Sequence, residues 1–443
     1  MYRKTYRKTL LASALALFLV PSLTPTLHAA GLLEVYQDAV KQDAELAVER
    51  ARLETSRAQI KQAGSYLLPQ VNASGTISRI DASNMPDKVN NTNITLSAQQ
   101  ALFNGEAWYG KNAAKAAFSA AQANYSDAEQ NLLLRVSEAY FNVLRAEDNL
   151  RSSEAEEQAI KRQLDQAQEQ YDVGLISITN VLEAKAAYDG ARAARIGTEA
   201  SLLISYEDLE QITGTRYEDI DTLNKKLPIT APMPNNRQAW VDEALTSSLA
   251  LQAARAGLKA SEENLKSKRS KHLPTVALFA EYSDDSDLPN QFKGNQGYDR
   301  TVLGVTANLE IYGGGRSSAS IREGAAALDQ ARSSEELAKR QVLQKTRSLF
   351  TQVSTDVLVV QARQLAINSS ESALEATRTG YEVGTRNIVD VLNAERALWS
   401  ARRDYDAARY NYVVNQLRLK RVAGSLAEKD LQELNRWLVQ AKN

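Results

Sequence analysis

Residues 171–182 read YDVGLISITNVL, and residues 381–392 read YEVGTRNIVDVL. The two segments overlay without a gap, and the overlay runs on at one constant offset to Gly214 and Gly424. Tyr171/Tyr381, Val173/Val383, Gly174/Gly384, Ile178/Ile388, Val181/Val391 and Leu182/Leu392 coincide along the way. Upstream, LLPQV (67–71) lies over HLPTV (272–276), and Phe103 and Gly105 lie over Tyr312 and Gly314. So little drift means that one ancestral unit was duplicated whole. A period of roughly 200 residues is far too long for a solenoid, so the halves form one pseudo-symmetric object.

Each half reads helix, strand, strand, very long helix, helix. The first repeat occupies 31–230, with a helix from Leu33 to Gly64, a hairpin over 70–103, a long helix over 106–173, a helix over 175–213 and a linker. The second occupies 231–443, with a helix, a hairpin over 275–312, a long helix over 316–383, a helix over 385–423 and a C-terminal equatorial segment. The hairpins show as alternation of apolar and small polar residues, as in Val71–Ile77 and Leu303–Leu309, flanking polar loops. From Glu106 to Val173 there is no proline, and Leu132, Val136, Ala139, Val143, Ala146 and Leu150 step by 4 and 3. That is a heptad seam of helices packed side by side. At ~1.5 Å per residue the run is on the order of 100 Å long. The two shorter helices of a repeat together match that length. Stacked beside the long one, they would meet partway down, where 215–236 and 425–443 could form a belt.

Residues 1–30 predict a signal peptide: Arg3, Lys4, Arg7 and Lys8, then the apolar run Leu10–Val20, then His28-Ala29-Ala30. That run is too short to span a bilayer. The chain has no cysteine, so neither a lipid anchor on cysteine nor a disulfide is available. Without the four basic residues of the leader, 53 Lys+Arg against 54 Asp+Glu becomes a mildly acidic balance, which argues against a nucleic-acid partner. No later stretch has the apolar length of a transmembrane helix.

Four strands with open edges cannot sit in lipid, whereas a closed barrel of about 8 or more strands can. A barrel would therefore need several copies, and three would give twelve strands and twelve helical columns. Aromatic residues near the strand ends (Tyr66, Phe103, Trp108, Tyr282, Tyr312) suit a membrane-interface girdle. The rival reading is a soluble periplasmic coiled-coil scaffold or adaptor with exposed hairpins. It would extract in water, whereas a barrel would need detergent.

YFNVL (140–144), YDVGLISITNV (171–181), QITG (211–214), HLPT (272–275), IYGGG (311–315), GYEVGTRNIVDVLNA (380–394) and ARYNYVVNQLRLK (408–420) resemble the TolC-type outer-membrane channel family, in order along nearly the whole mature chain. The resemblance implies a homotrimer: a twelve-stranded β-barrel in the outer membrane, joined to a long α-helical barrel in the periplasm. It implies a passive, gated duct for efflux or type I secretion. An inner-membrane pump of ABC or RND type and its periplasmic adaptor would open it. Gly174 and Gly384 would mark the helix-turn tips where the adaptor docks. Tyr381 and Arg386 would belong to the network that holds the aperture shut, and Asp390 would point into that aperture as an acidic ring. The chain departs from the family pattern at Asn393, and at Asn180 beside Thr179, where carboxylates are expected. One carboxylate ring would then be missing, and Arg386 would turn to a backbone or Asn acceptor.

No catalytic constellation emerges, and the reading is of a protein that is not an enzyme, with no cofactor and no metal. Gly313-Gly314-Gly315 lacks the Lys-Ser/Thr of a phosphate loop and reads as the tight exit from the fourth strand. His272 is the single histidine after the leader, beside Pro274, and reads as structural.

Overall fold

The computed structural model describes residues 30–81, 89–285 and 298–439. The expected leader up to residue 29 and the polar stretches at 82–88 and 286–297 lie outside the described residues. The first half comprises α1 (Leu32–Gln42), α2 (Ala44–Ser65), β1 (Gln70–Ile80), β2 (Val89–Phe103), α3 (Gly105–Asp172) and α4 (Ile178–Thr213). After β3 (Thr222–Leu223), the same order recurs as α5 (Arg237–Ser247), α6 (Leu249–Arg269), β4 (Thr275–Asp285), β5 (Tyr298–Asn308), α7 (Arg316–Glu382) and α8 (Ile388–Ala423). The chain closes with α9 (Glu428–Asn435) and β6 (Leu438–Val439).

Four places depart from the sequence reading. The expected helix Leu33–Gly64 is two helices, because Asp43 leaves the helical region (ψ 118°) and its carboxylate accepts from Leu46 N at 2.7 Å, starting α2 afresh. Arg135 of α3 pairs with the same carboxylate at 2.9 Å. In the second half Ser248 breaks the corresponding helix between α5 and α6. The hairpin expected over 275–312 ends at Asn308, and Gly314 and Gly315 (φ 61° and 83°) turn the chain into α7. Finally, α4 and α8 begin at Ile178 and Ile388 rather than 175 and 385, since the preceding residues are spent closing the turns.

The strands form one antiparallel sheet in the order β1-β2-β4-β5. Its register sorts the side chains by face. Ala73, Leu96, Tyr282 and Thr301 lie across from one another, as do Val71, Ala98, Ala280 and Leu303. The adjacent rows, Asn72–Ser97–Glu281 and Ser74–Thr95–Ser283–Arg300, belong to the other face. The apolar face is bare: Ile77 is 83% exposed and Leu303 73%. On the polar face Glu281 pairs with Arg300 at 3.2 Å, and Phe279 lies against Gly304, where a Cβ would sit 3.0 Å from the ring.

The helices form a row of four columns. At the sheet end the row runs α2, α3, α6, α7, and at the far end α4, α3, α8, α7, so α3 and α7 span both levels. Where the shorter helices meet, the belt closes over them. β3 pairs with β6, Ala30 bridges Ile220, and Asn435 Oδ1 accepts from Leu33 N at 3.3 Å. The Tyr140 hydroxyl lies 2.7 Å from the Asp221 carbonyl and 3.2 Å from that of Ala30. The largest buried cluster lies at this level, with Tyr140, Phe141, Leu144, Leu209, Ile220, Tyr410 and Leu431.

Asp406 of α8 lies beside this belt. Burial, then the neighbouring Asp148 charge, push its carboxyl pKa up to about 6 against the partial compensation of Arg409. The folded protein therefore holds a proton that the unfolded chain gives up. This favourable term is present below the ordinary carboxylate range and is lost as pH rises through about 6. Asp406→Asn is accordingly expected to melt higher than wild type at pH 8 and to lose that advantage at pH 4. Thermal scans of detergent-solubilised protein at the two pH values would check this.

Candidate functional site

The two helix turns opposite the sheet are built alike. At the first, Gly174 (φ 76°) follows the last residues of α3, Gly174 N donates to Tyr171 O and Leu175 N to Gln170 O, both at 2.8 Å. At the second, Gly384 (φ 77°) donates to Tyr381 O at 3.0 Å and Thr385 N to Gly380 O at 2.8 Å. These paired bonds are the Schellman closure, which needs a residue at positive φ. Each glycine is where an L side chain would be strained.

Beyond the glycines the tips differ. Asn387 caps α8: its Oδ1 accepts from Asp390 N at 2.9 Å, and the Asp390 carboxylate accepts from Asn387 N at 3.3 Å, forming a reciprocal capping box. Ser177, at the equivalent place before α4, makes no side-chain cap bond, and Asn180 N reaches only the Ser177 carbonyl at 3.1 Å. Position 380 is glycine and its counterpart is Gln170. A Cβ on Gly380 would lie 2.8 Å from Arg386 Cγ, so the missing side chain admits the Arg386 stem. Gln170 instead reaches across, accepting from the Tyr381 hydroxyl at 2.9 Å. Burial raises the Tyr381 pKa and keeps that hydroxyl a donor.

The expected site residues are thus partly united. Tyr381, Gly384, Arg386 and Asp390 share the second tip. Arg386 Nη1 is 4.0 Å from the Asp390 carboxylate, ion-pair distance but too long for a hydrogen bond. Its backbone N–H donates to Gly380 O at 3.1 Å. Asn393 lies one turn along α8 from Asp390 and is exposed, as is Thr179, while Asn180 is half-buried. Among the described residues none of these three makes a side-chain bond within the chain. Gly174, Thr179 and Asn180 belong to the other tip, linked to the second through Tyr381–Gln170.

Two features escaped the sequence reading. One is the Asn387–Asp390 box, legible in hindsight from an N-cap residue followed three places later by an acid. The other is the pair Arg378–Glu395, which ties α7 to α8 just behind the tip and buries Glu395 to 1% exposure. Its partners are joined only by the turn, so no short-range spacing betrays it.

An amphipathic four-stranded sheet carried on a row of very long helices defines a protomer of the outer-membrane channel class. The whole-chain comparisons agree. The model of the family described as outer membrane efflux protein matches residues 35–215 and 240–425. The chain is 33% identical over 425 residues to the outer membrane protein TolC of Vibrio cholerae, covering 95% of this chain and 97% of that one. It is 29% identical over 342 residues to the alkaline protease secretion protein AprF of Pseudomonas aeruginosa, covering 76% and 70%. The outer membrane protein VceC of Vibrio cholerae shares the fold, with a TM-score of 0.77 at 19% identity over 89% of this chain and 96% of that one. The chain belongs to the outer membrane efflux protein family, a family of channels seated in the outer membrane. No helix among the described residues is long and apolar enough to cross a membrane, and the sheet is the element with an apolar face.

Capping arithmetic distinguishes the tips. Asn387→Ala should destabilise the second tip by about 0.5–2 kcal/mol, whereas Ser177→Ala should be near neutral because it removes no cap bond. Hydrogen exchange of the first turns of α8 and α4 would measure both.

Proposed function

We propose that three copies of this chain close into one duct, a twelve-stranded barrel continued by a barrel of helices, that passes solutes and secreted proteins across the outer membrane. The observation that carries this is the matching of open flanks at two levels. β1 and β5 are the edges of the sheet, and the columns beneath them, α2 with α4 and α7, end the helical row. α4 leaves Leu182, Leu203 and Ile204 exposed, and α7 leaves Leu337, Leu358 and Leu365 exposed. One protomer's α7 side meets the next one's α4 side, a head-to-tail contact that closes by rotation. The bare apolar face then meets lipid, and the Glu281–Arg300 face lines the water-filled interior. A soluble scaffold would leave that apolar face in water.

In this duct the tips form the periplasmic end. The energy comes from an inner-membrane pump, whose adaptor docks at Gly174 and Gly384. Resemblance to AprF, a protease secretion protein, supports type I secretion beside efflux. Asp390 faces the aperture as a ring of three carboxylates, and a narrow ring of one sign favours cations. Tyr381 and Arg386 latch the closed end. Among the described residues the Arg386 guanidinium makes no full hydrogen bond within its own chain, which leaves it for Thr179 or Asn180 of a neighbouring protomer. Asn393 and Asn180 weaken that latch, since a bond to a charged partner contributes ~1.5–3 kcal/mol against ~0.5–1.5 for a neutral one.

Purified protein is expected to run in mild detergent as a heat-modifiable trimer and to form cation-selective channels in planar bilayers. Asp390→Ala should lower that selectivity and remove block by multivalent cations from the periplasmic side. A water-soluble monomer by light scattering would rule the duct out.

The latch gives a further expectation. Arg386→Ser combined with Tyr381→Phe should raise single-channel conductance roughly severalfold with the trimer intact, because each truncation removes bonds of ~1 kcal/mol or more in every protomer. Unchanged conductance in an intact trimer would place the gate elsewhere.

A further inference from the structure

Between α3, α7 and α8 lies a groove of about 520 Å³, lined by Glu138, Asn142, Arg145, Leu349, Val414 and Arg418 among others. It opens on the side of α8 turned away from the belt. On the belt side, Tyr412 bonds Thr230 and Arg409 Nη2 donates to Asn224 O at 2.6 Å. The groove side carries Asn411, Asn415 and Arg418, spaced four and three apart on one helical stripe. A second groove, between α3 and α4, shares Asn142 and Arg145. Arg145 is therefore the ridge between two hollows.

Its charge is the one left over. The other arginines that bind α8 to α3 meet carboxylates: Arg403 on Glu156 and Arg418 on Glu138 at 2.7 Å, and Arg421 on Asp127 at 3.2 Å. Arg145 Nη2 donates to a neutral acceptor, Asn411 Oδ1, at 2.8 Å. Among the described residues no carboxylate lies within ion-pair distance of it, and its Nε is buried without an acceptor. Arg135, Arg378 and Arg421 also leave Nε unpaired, but each holds a carboxylate through another nitrogen. Burial pushes the Arg145 guanidinium below its ordinary pKa; the neighbouring Tyr410 opposes this and the Arg418 charge adds to it. A half-buried cation without a counter-charge is costly, and a groove of this volume is the size of a small-molecule site.

We propose that this groove binds small organic anions, with a carboxylate or equivalent oxyanion on the Arg145 guanidinium and the apolar body over Leu349 and Val414. Arginine suits the first role because its fork matches carboxylate geometry. In the assembled duct the groove faces the conduit and would be a resting place for anionic cargo at mid-tunnel. Only that placement rests on the proposed function. Binding itself is read without conduction, so failure of one leaves the other measurable.

The test is saturation-transfer NMR on the full assembly in amphipol, with 2-naphthoate and its uncharged analogue 2-naphthamide as probes. Wild type should bind the acid at least about tenfold more tightly than the amide. Arg145→Gln, which can still donate to Asn411, should lose that preference, while Arg145→Lys should keep most of it. Arg403→Gln, whose partner is Glu156, should behave as wild type. Equal binding of acid and amide, an unchanged preference in Arg145→Gln, or no naphthoate binding up to about 10 mM would overturn the assignment.

Discussion

The constraint on which the structure depends is that a strand's backbone groups cannot be left unpaired in hydrocarbon. Among the described residues the amphipathic sheet has four strands and two raw edges, which in the proposed duct other copies would have to pair. The helical row ends at the same two flanks, under the same two edges. In the proposed duct, a single rotation that pairs β5 with the next β1 would also pack α7 beside the next α4. The duplication makes this economical. Each repeat contributes a hairpin and two columns, and in the proposed duct the junction between repeats inside a chain would rehearse the junction between chains. The register β2–β4 and the packing of α3 on α6 and α8 would be the internal copy of that proposed contact.

Stability is not spread evenly down the columns. The large buried side chains gather at the belt, where Tyr140, Phe141, Tyr410, Leu209 and Leu431 share one cluster. Towards the tips the clusters shrink to a few residues, such as Ala167, Val181 and Ala184. Small residues let the helices approach closely but bury little apolar area, so each turn there contributes less. Regions with few buried contacts open first. In the proposed duct, a tube firm at its middle and thinly packed at its end could move the end without disturbing the barrel.

Much of this was legible from the chain alone because the signals are long. The repeat, the nearly 70-residue helical runs and the two hairpins rest on dozens of residues each, and a single local exception does not disturb them. Single-residue events were harder. Asp43 interrupts an otherwise continuous helical pattern through its backbone angle and a bond to Leu46; the spacing of apolar residues continues across it. Phe103 over Tyr312 suggested a fourth strand reaching 312, but the glycines at 314 and 315 and the irregular stretch before them end it at Asn308. At the site, the glycines were readable since a reversal needs positive φ. The Gln170–Tyr381 bond was not, because its partners belong to different repeats and meet only through tertiary packing.

The positions where the halves diverge are the most telling. Gln170 stands over Gly380, Ser177 over Asn387, and Asn180 over Asp390. All three substitutions act at the tips, and they act in one direction. The second tip has a capping box, a carboxylate engaged in it, and a glycine against which the Arg386 stem packs. The first has a bare serine cap, with its long glutamine turned to hold the other tip. A duplicated unit under equal demands would have kept equal turns. The observed split instead makes the α7–α8 turn the self-supporting part and the α3–α4 turn the one that leans on it. In the proposed duct, opening would then begin by releasing Gln170 from Tyr381. That frees the pairs to separate while each Schellman turn stays closed.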